Sequence, residues 1–254
     1  MAAASQTYVS DGGNEQQLDL YWPLADGAKR PLILFIHGGA WIGGDKNQYV
    51  AVAHRFVADG FTVAAVNYRV SPAVKNPVHA QDVSLAYAWL VKHANKRFDP
   101  TKIFLMGHSA GAHNSGMLAS SDFLEKAGVT KDNLPKGYIG LEGIYDIPNL
   151  IKVWPSYREW FIEKAFGAES AWADGSPTRR AIKNKAPWLV IHSTEDQLVD
   201  LAQSRDFAAH LKQSGVSVEL NDRATGNHDM VVNDLFDPVN PLVAEIEAFI
   251  RKHS

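Results

Sequence analysis

Residues 103–113 read Ile-Phe-Leu-Met-Gly-His-Ser-Ala-Gly-Ala-His, an apolar run that ends in Gly107-His108-Ser109-Ala110-Gly111. Consecutive apolar residues followed by a glycine read as a buried strand. The G-x-S-x-G pattern after it suits a chain that must stop a strand abruptly, lift one serine on a strained turn and start a helix at once. A side chain at Gly107 or Gly111 would collide with backbone where strand and helix nearly touch, which gives each glycine a steric reason. Ser109 is therefore the candidate nucleophile. A bare motif of this kind also occurs as a small-residue turn, so the rest of the chain has to decide.

Pro31-Leu32-Ile33-Leu34-Phe35-Ile36 reads as a second buried strand, and it runs straight into His37-Gly38-Gly39-Ala40-Trp41. Attack on a carbonyl builds negative charge on oxygen, and a glycine-rich loop can aim backbone N–H groups at that charge without side chains in the way. The expected oxyanion donors are the N–H groups of Gly39 and Ala40, with Gly38 shaping the loop and Ala110 as the further donor.

The remaining partners are expected in the chain order serine, acid, histidine, each in a loop after a strand. Pro187–Ile191 runs into His192-Ser193-Thr194-Glu195-Asp196, and the alternating stretch 216–220 precedes Gly226-Asn227-His228-Asp229. Asp196 would hold the ring N–H of His228, and His228 would take the Ser109 proton and return it to the leaving group. Glu195, Glu142 and Asp146 stay open as alternative acids. His113 is expected to pack beneath the turn and His37 to brace its loop.

With 254 residues and 46% hydrophobic composition, the chain is long enough to bury a sizeable core as one α/β domain. The net charge of -3 and the lack of a Lys/Arg cluster with interleaved aromatics argue against nucleic-acid binding. The chain has no cysteine, so it offers neither disulfides nor thiolate metal sites. No cofactor and no metal are expected, and the partner is a small-molecule substrate; a homodimer stays open. The N-terminus lacks a basic segment followed by an apolar one, and no uncharged stretch approaches the ~20 residues of a membrane span, which predicts a cytoplasmic protein.

Short apolar runs alternate with amphipathic stretches, the pattern of a mostly parallel sheet covered on both faces. Gln6–Val9 and Leu18–Pro23 are expected to open it as an antiparallel pair. Six further strands are predicted near 31–36, 62–67, 103–108, 138–142, 187–192 and 216–221, with helices near 47–59, 78–95, 110–120, 201–214 and 240–252. Residues 147–185 break the rhythm with Trp154, Tyr157, Trp160, Phe161, Phe166 and Trp172. They are expected to form a small cap over Ser109, most of the aromatics burying the insert itself.

His37-Gly38-Gly39-Ala40-Trp41, Asn67-Tyr68-Arg69-Val70-Ser71-Pro72, Asp99-Pro100 and Gly107–His113 together resemble the α/β-hydrolase superfamily, in its esterase, lipase and arylformamidase branch. Within it, the H-G-G-x-W loop, G-H-S-A-G-A-H and Leu141-Glu142-Gly143-Ile144-Tyr145-Asp146 are most like kynurenine formamidases. The resemblance implies the α/β-hydrolase fold, the triad Ser109, Asp196 and His228, and hydrolysis of N-formyl-L-kynurenine, with small carboxylic esters as the alternative substrate class. Trp41, Glu142 and Tyr145 are the expected substrate contacts. A silent hydrolase fold serving as a ligand-binding receptor is the remote third reading.

Overall fold

The computed structural model describes residues 1–24, 30–94 and 97–254. Its centre is an eight-stranded sheet made of β1 (Ala2–Thr7), β2 (Gln17–Trp22), β3 (Leu32–Ile36), β4 (Thr62–Val66), β5 (Ile103–His108), β6 (Gly137–Leu141), β7 (Trp188–Ser193) and β8 (Val218–Ala224). The spatial order is β1-β2-β4-β3-β5-β6-β7-β8. β2 runs antiparallel to both of its neighbours, and every other pairing is parallel.

The unbroken apolar runs have a direct cause. In β3, Leu32, Leu34 and Ile36 join one core cluster while Ile33 and Phe35 join another, so the period-2 alternation sends apolar side chains into both faces. One face is covered by helices Val78–Lys92, Ala110–Ala119 and Ala202–Gln213, through residues such as Val83, Tyr87, Leu118 and Phe207. Helices Val50–Ala58 and Pro241–His253 cover the other, through Phe56, Ile246 and Phe249. Each fully buried Leu, Ile or Phe of this kind contributes roughly 1.5–3 kcal/mol. Among the described residues no helix is long and apolar enough to cross a membrane.

Two strands are displaced from expectation. The first is Ala2–Thr7, not Gln6–Val9, because it is an edge strand held by backbone pairing with β2 and by the Ser5 hydroxyl on Asp19 at 2.5 Å, and it needs no apolar pattern. The last runs to Ala224, three residues past 221, along the end of β7. The helix expected over 78–95 ends at Lys92, and position 95 lies outside the described residues. Residues 147–185 hold several short helical pieces, among them Ile147–Val153 and Glu163–Phe166. Their apolar side chains form a third cluster that includes Trp41, Ile144, Phe166 and Trp172.

Four buried histidines couple this fold to pH. Burial lowers His37 and His113 to about 4, and His79 and His108 to about 3, from an ordinary 6.5. The unfolded chain therefore binds more protons than the folded one between about pH 6.5 and 4, so stability is lost as pH falls through that window. Glu142, raised to about 7 by burial, binds a proton in the folded state and offsets one of the four. Each uncompensated histidine costs up to about 1.4 kcal/mol per pH unit. The urea midpoint is expected to fall clearly between about pH 7 and about pH 5; an unchanged midpoint would contradict the assignment of these rings as neutral.

Candidate active site

Ser109 stands between β5 and helix Ala110–Ala119 at φ 55°, ψ -118°, a conformation that a non-glycine residue holds only when its surroundings enforce it. The enforcement comes from both glycines. A Cβ at Gly111 would overlap the carbonyl oxygen of Ile36 and approach that of His37 at 2.7 Å, and a Cβ at Gly107 would overlap the Gly111 carbonyl. The Ser109 N–H donates to Leu141 O at 2.8 Å, fastening the turn to β6.

The loop after β3 folds back on itself with φ 112° at Gly39, 52° at Ala40 and 58° at Trp41. Gly39 O accepts the N–H groups of Ile42 and Gly43, each at 3.0 Å. The N–H of Gly38 is turned to the hydroxyl of Tyr49, whose pKa burial pushes up to about 12, so the phenol stays neutral. Gly38, Gly39 and Ala40 all line the cavity that holds Ser109. Ala110 lies behind the serine in the third cluster, with its N–H in the first turn of a helix, where no intrahelical acceptor exists. His37 braces this loop, donating to Gly38 O at 2.7 Å and stacking on Tyr68 at 4.4 Å.

Across the cavity, His228 Nδ1 meets Asp196 Oδ2 at 2.7 Å. Asp196 Oδ1 accepts the N–H groups of Leu198 and Val199 at 2.8 and 2.9 Å, which turns the acid loop back toward the sheet. Burial opposes ionisation of Asp196, but hydrogen bonds to His192, His228 and Glu142 hold its carboxyl far below the ordinary range. The structure thus gathers Ser109, Asp196 and His228 around one site. Of the alternative acids, Glu195 is exposed, and Asp146 caps helix Ile147–Val153 while pairing with Arg179 at 2.9 Å.

The cavity encloses about 350 Å³. Its outer wall is Tyr157, Trp160 and Phe161, which sit on and beside a π-helical turn at Arg158–Ile162, with Ile42, Ile144 and Leu198 nearby. Tyr157 is tied to the acid loop through its hydroxyl on Leu198 O at 3.1 Å. Asp229, Gln48 and Tyr49 supply the polar side, and among the described residues no lysine or arginine lines the cavity.

The three expected substrate contacts need correction, since Trp41, Glu142 and Tyr145 are fully buried and none lines the cavity. Trp41 points away from the pocket because its Nε1–H donates to His113 Nδ1 at 3.2 Å, with Phe166 4.9 Å from its ring. His113 passes the link on by donating to Gly175 O at 2.7 Å, beneath the turn as expected. Tyr145 stacks on Phe207 at 4.0 Å, inside the core. Glu142 lies under the acid loop at φ 51°, with Oε1 accepting the Ser193 N–H at 2.8 Å.

His108 was missed by sequence reasoning as the unspecified position of the motif. It donates from Nε2 to His228 O at 2.9 Å and so ties β5 to the histidine loop. Its proximity to His228 and Asp229 is metal-like, as is the grouping of Glu142, His192 and Asp196. In the second cluster His192 Nε2 faces Val199 O and its Nδ1 faces the Ser204 hydroxyl, and a nitrogen donating to a carbonyl has no lone pair for a cation. In the first, His108 Nε2 is committed to His228 O in the same way, and only its Nδ1 keeps a lone pair.

Comparison with known proteins identifies the family. The model of the BD-FAE family matches residues 18–211, well over half of the chain. The chain belongs to the BD-FAE family. Esterase LipQ of Mycobacterium tuberculosis is 29% identical over 228 residues, covering 85% of this chain and 54% of that protein, so the chain spans about half of its length. A kynurenine formamidase of Meyerozyma guilliermondii is 30% identical over 212 residues, with 78% of each chain covered. The fold is shared with esterase B of Lactobacillus rhamnosis, at TM-score 0.82 and 19% identity over 98% of this chain and 87% of that one. An esterase of Thermogutta terrifontis matches at TM-score 0.74 and 22% identity, covering 96% and 94%. This BD-FAE chain is an α/β-hydrolase of the esterase, lipase and formamidase branch.

The tight turn makes a direct prediction for this BD-FAE protein. Gly111→Ala pushes a methyl group into the Ile36 carbonyl, so hydrolytic activity is expected to drop at least ~100-fold, with a lower melting temperature. Gly13→Ala, with nothing within 4 Å of its Cβ, is the matched control. Undiminished activity in Gly111→Ala would show that the turn does not need the close approach.

Proposed function

We propose that this chain is a serine hydrolase that cleaves small carboxylic esters through an acyl-enzyme. The observation that carries the reading is the 2.7 Å contact between Asp196 and His228 across a cavity that also holds Ser109 on its strained turn. Ser109 Oγ attacks the acyl carbon as His228 Nε2 takes its proton, while Asp196 fixes the ring tautomer and stabilises the imidazolium. The N–H groups of Gly39, Ala40 and Ala110 receive the charge that develops on the carbonyl oxygen. His228 then protonates the leaving group, and water, deprotonated by the same ring, releases the acid and regenerates Ser109.

The shape of the cavity supports the substrate side. Tyr157, Trp160 and Phe161 offer an apolar wall for an aryl or alkyl group. An aryl formamide such as N-formylkynurenine is the second reading, favoured by the 30% identity to a kynurenine formamidase. That substrate carries a carboxylate, and the described lining residues include no lysine or arginine to pair with it, which supports esters as the first reading.

The deciding experiment is kcat/KM on p-nitrophenyl acetate, p-nitrophenyl butyrate and N-formylkynurenine, with Ser109→Ala as the blank. Efficient ester cleavage with weak formamide turnover is the expected result, and Ser109→Ala is expected to lower it by at least ~1,000-fold. A strong formamide preference would promote the second reading. Turnover undiminished in Ser109→Ala would overturn the mechanism.

A further inference from the structure

Glu142 has no contact with the cavity, yet it is fully buried directly behind Asp196. Its Oε2 and Asp196 Oδ2 stand 3.0 and 3.3 Å from one nitrogen, His192 Nε2, and the three ligand-type atoms lie within 4.8 Å of one another. His192 Nε2 also faces Val199 O at 3.1 Å, and its Nδ1 faces the Ser204 hydroxyl at 2.7 Å. Glu142 Oε2 is left sealed from solvent without a hydrogen-bond partner of good geometry. Two buried carboxylates side by side repel, and a proton on one of them removes the repulsion and supplies a donor.

The geometry points to Glu142 as a positioning residue that meets Asp196 as a carboxylic acid, donating its O–H to the Asp196 carboxylate so that the cluster turns one negative charge toward His228. Its other oxygen anchors the acid loop by accepting the Ser193 N–H at 2.8 Å. Ser193 in turn bonds through its hydroxyl to Gly226 O and to the Glu195 N–H, joining the acid and histidine loops. Burial pushes the Glu142 carboxyl up to about 7, against the pull of His192, so the protonated form is accessible near neutrality. The groups facing this proton are His192 from β7, Asp196 from the loop after it and Tyr145 from the segment after β6, with His228, His108 and Tyr157 across Asp196. Burial lowers the His192 pKa, but hydrogen bonds and charges from Asp196 and Glu142 raise it on balance to about 9, so the ring competes with Glu142 for the proton. A neutral Glu142 beside a neutral ring avoids burying an extra pair of charges.

The inference rests on the proposed triad for its kinetic consequences and is tested by one readout that does not. Infrared difference spectra of glutamate-labelled protein at about pH 6 report a protonated carboxyl directly. The band is expected in the wild type and in Ser109→Ala, and is expected to vanish in Glu142→Gln. On p-nitrophenyl butyrate, Glu142→Gln, which keeps a donor and an acceptor, is expected to hold kcat within about threefold with the acidic limb of kcat/KM unmoved. Glu142→Leu, which keeps neither, is expected to lower kcat by roughly 10–100-fold with little change in KM, as for other buried orienting partners. Absence of the band, or a tenfold loss in Glu142→Gln with a shifted limb, would replace the acid by an ionised Glu142 paired with protonated His192. A folded Glu142→Leu with wild-type kcat would overturn the positioning role; if that variant does not fold, the band and Glu142→Gln decide. Loss of the Ser109 assignment would leave the infrared result standing.

Discussion

The carboxyl edge of the sheet depends on how closely Gly111 approaches the Ile36 carbonyl. Only two chains without intervening Cβ atoms can pass so near, and that proximity holds Ser109 at φ 55° where a relaxed residue would leave it. The same contact fixes the loop 37–41 against the serine, because His37 and Gly38 continue directly from Ile36. A Cβ on Gly38 would come within 3.2 Å of the Ser109 Cβ, so the loop and the turn share one small volume. Strand pairing of β3 with β5 sets the register in which this happens, matching Ile36 to Gly107.

A second layer of order comes from buried histidines other than His228. His37, His108 and His113 each donate to a backbone carbonyl, of Gly38, His228 and Gly175 respectively. Burial keeps all three neutral, which preserves one donor and one acceptor per ring and makes each a directional fastener. They connect the oxyanion loop, the histidine loop and the aromatic segment to the central strands. The arrangement explains why Trp41, beside the oxyanion loop in sequence, is held by His113 away from the pocket.

The sheet was legible because strands buried on both faces need continuous apolar runs, and β3, β4, β5, β6 and β7 fall within two residues of their expected bounds. β1 was misplaced because an edge strand pairing through its backbone imposes little on side chains. The gathering of Ser109, Asp196 and His228 at one end of the sheet was also legible, since each residue ends or follows a recognisable strand. Pocket contacts were not. Trp41, Glu142 and Tyr145 were expected to face substrate from their nearness to motif residues, but at a turn neighbouring side chains diverge, and all three point inward. Which of the insert's aromatics would bury it and which would face the site was not legible, and Tyr157 and Phe161 do both.

By itself, the sequence determined the parallel α/β architecture, the strained turn at Ser109 and the loops that carry Asp196 and His228. These follow from local rules, in which apolar runs specify strands and paired glycines permit close backbone contact. Only the tertiary structure decided which aromatics form the cavity wall, that Glu142 sits beneath Asp196, and that His108 joins β5 to the histidine loop 120 residues away. Those relations link segments distant in the chain, and side-chain direction at a turn is set by what packs against it after folding.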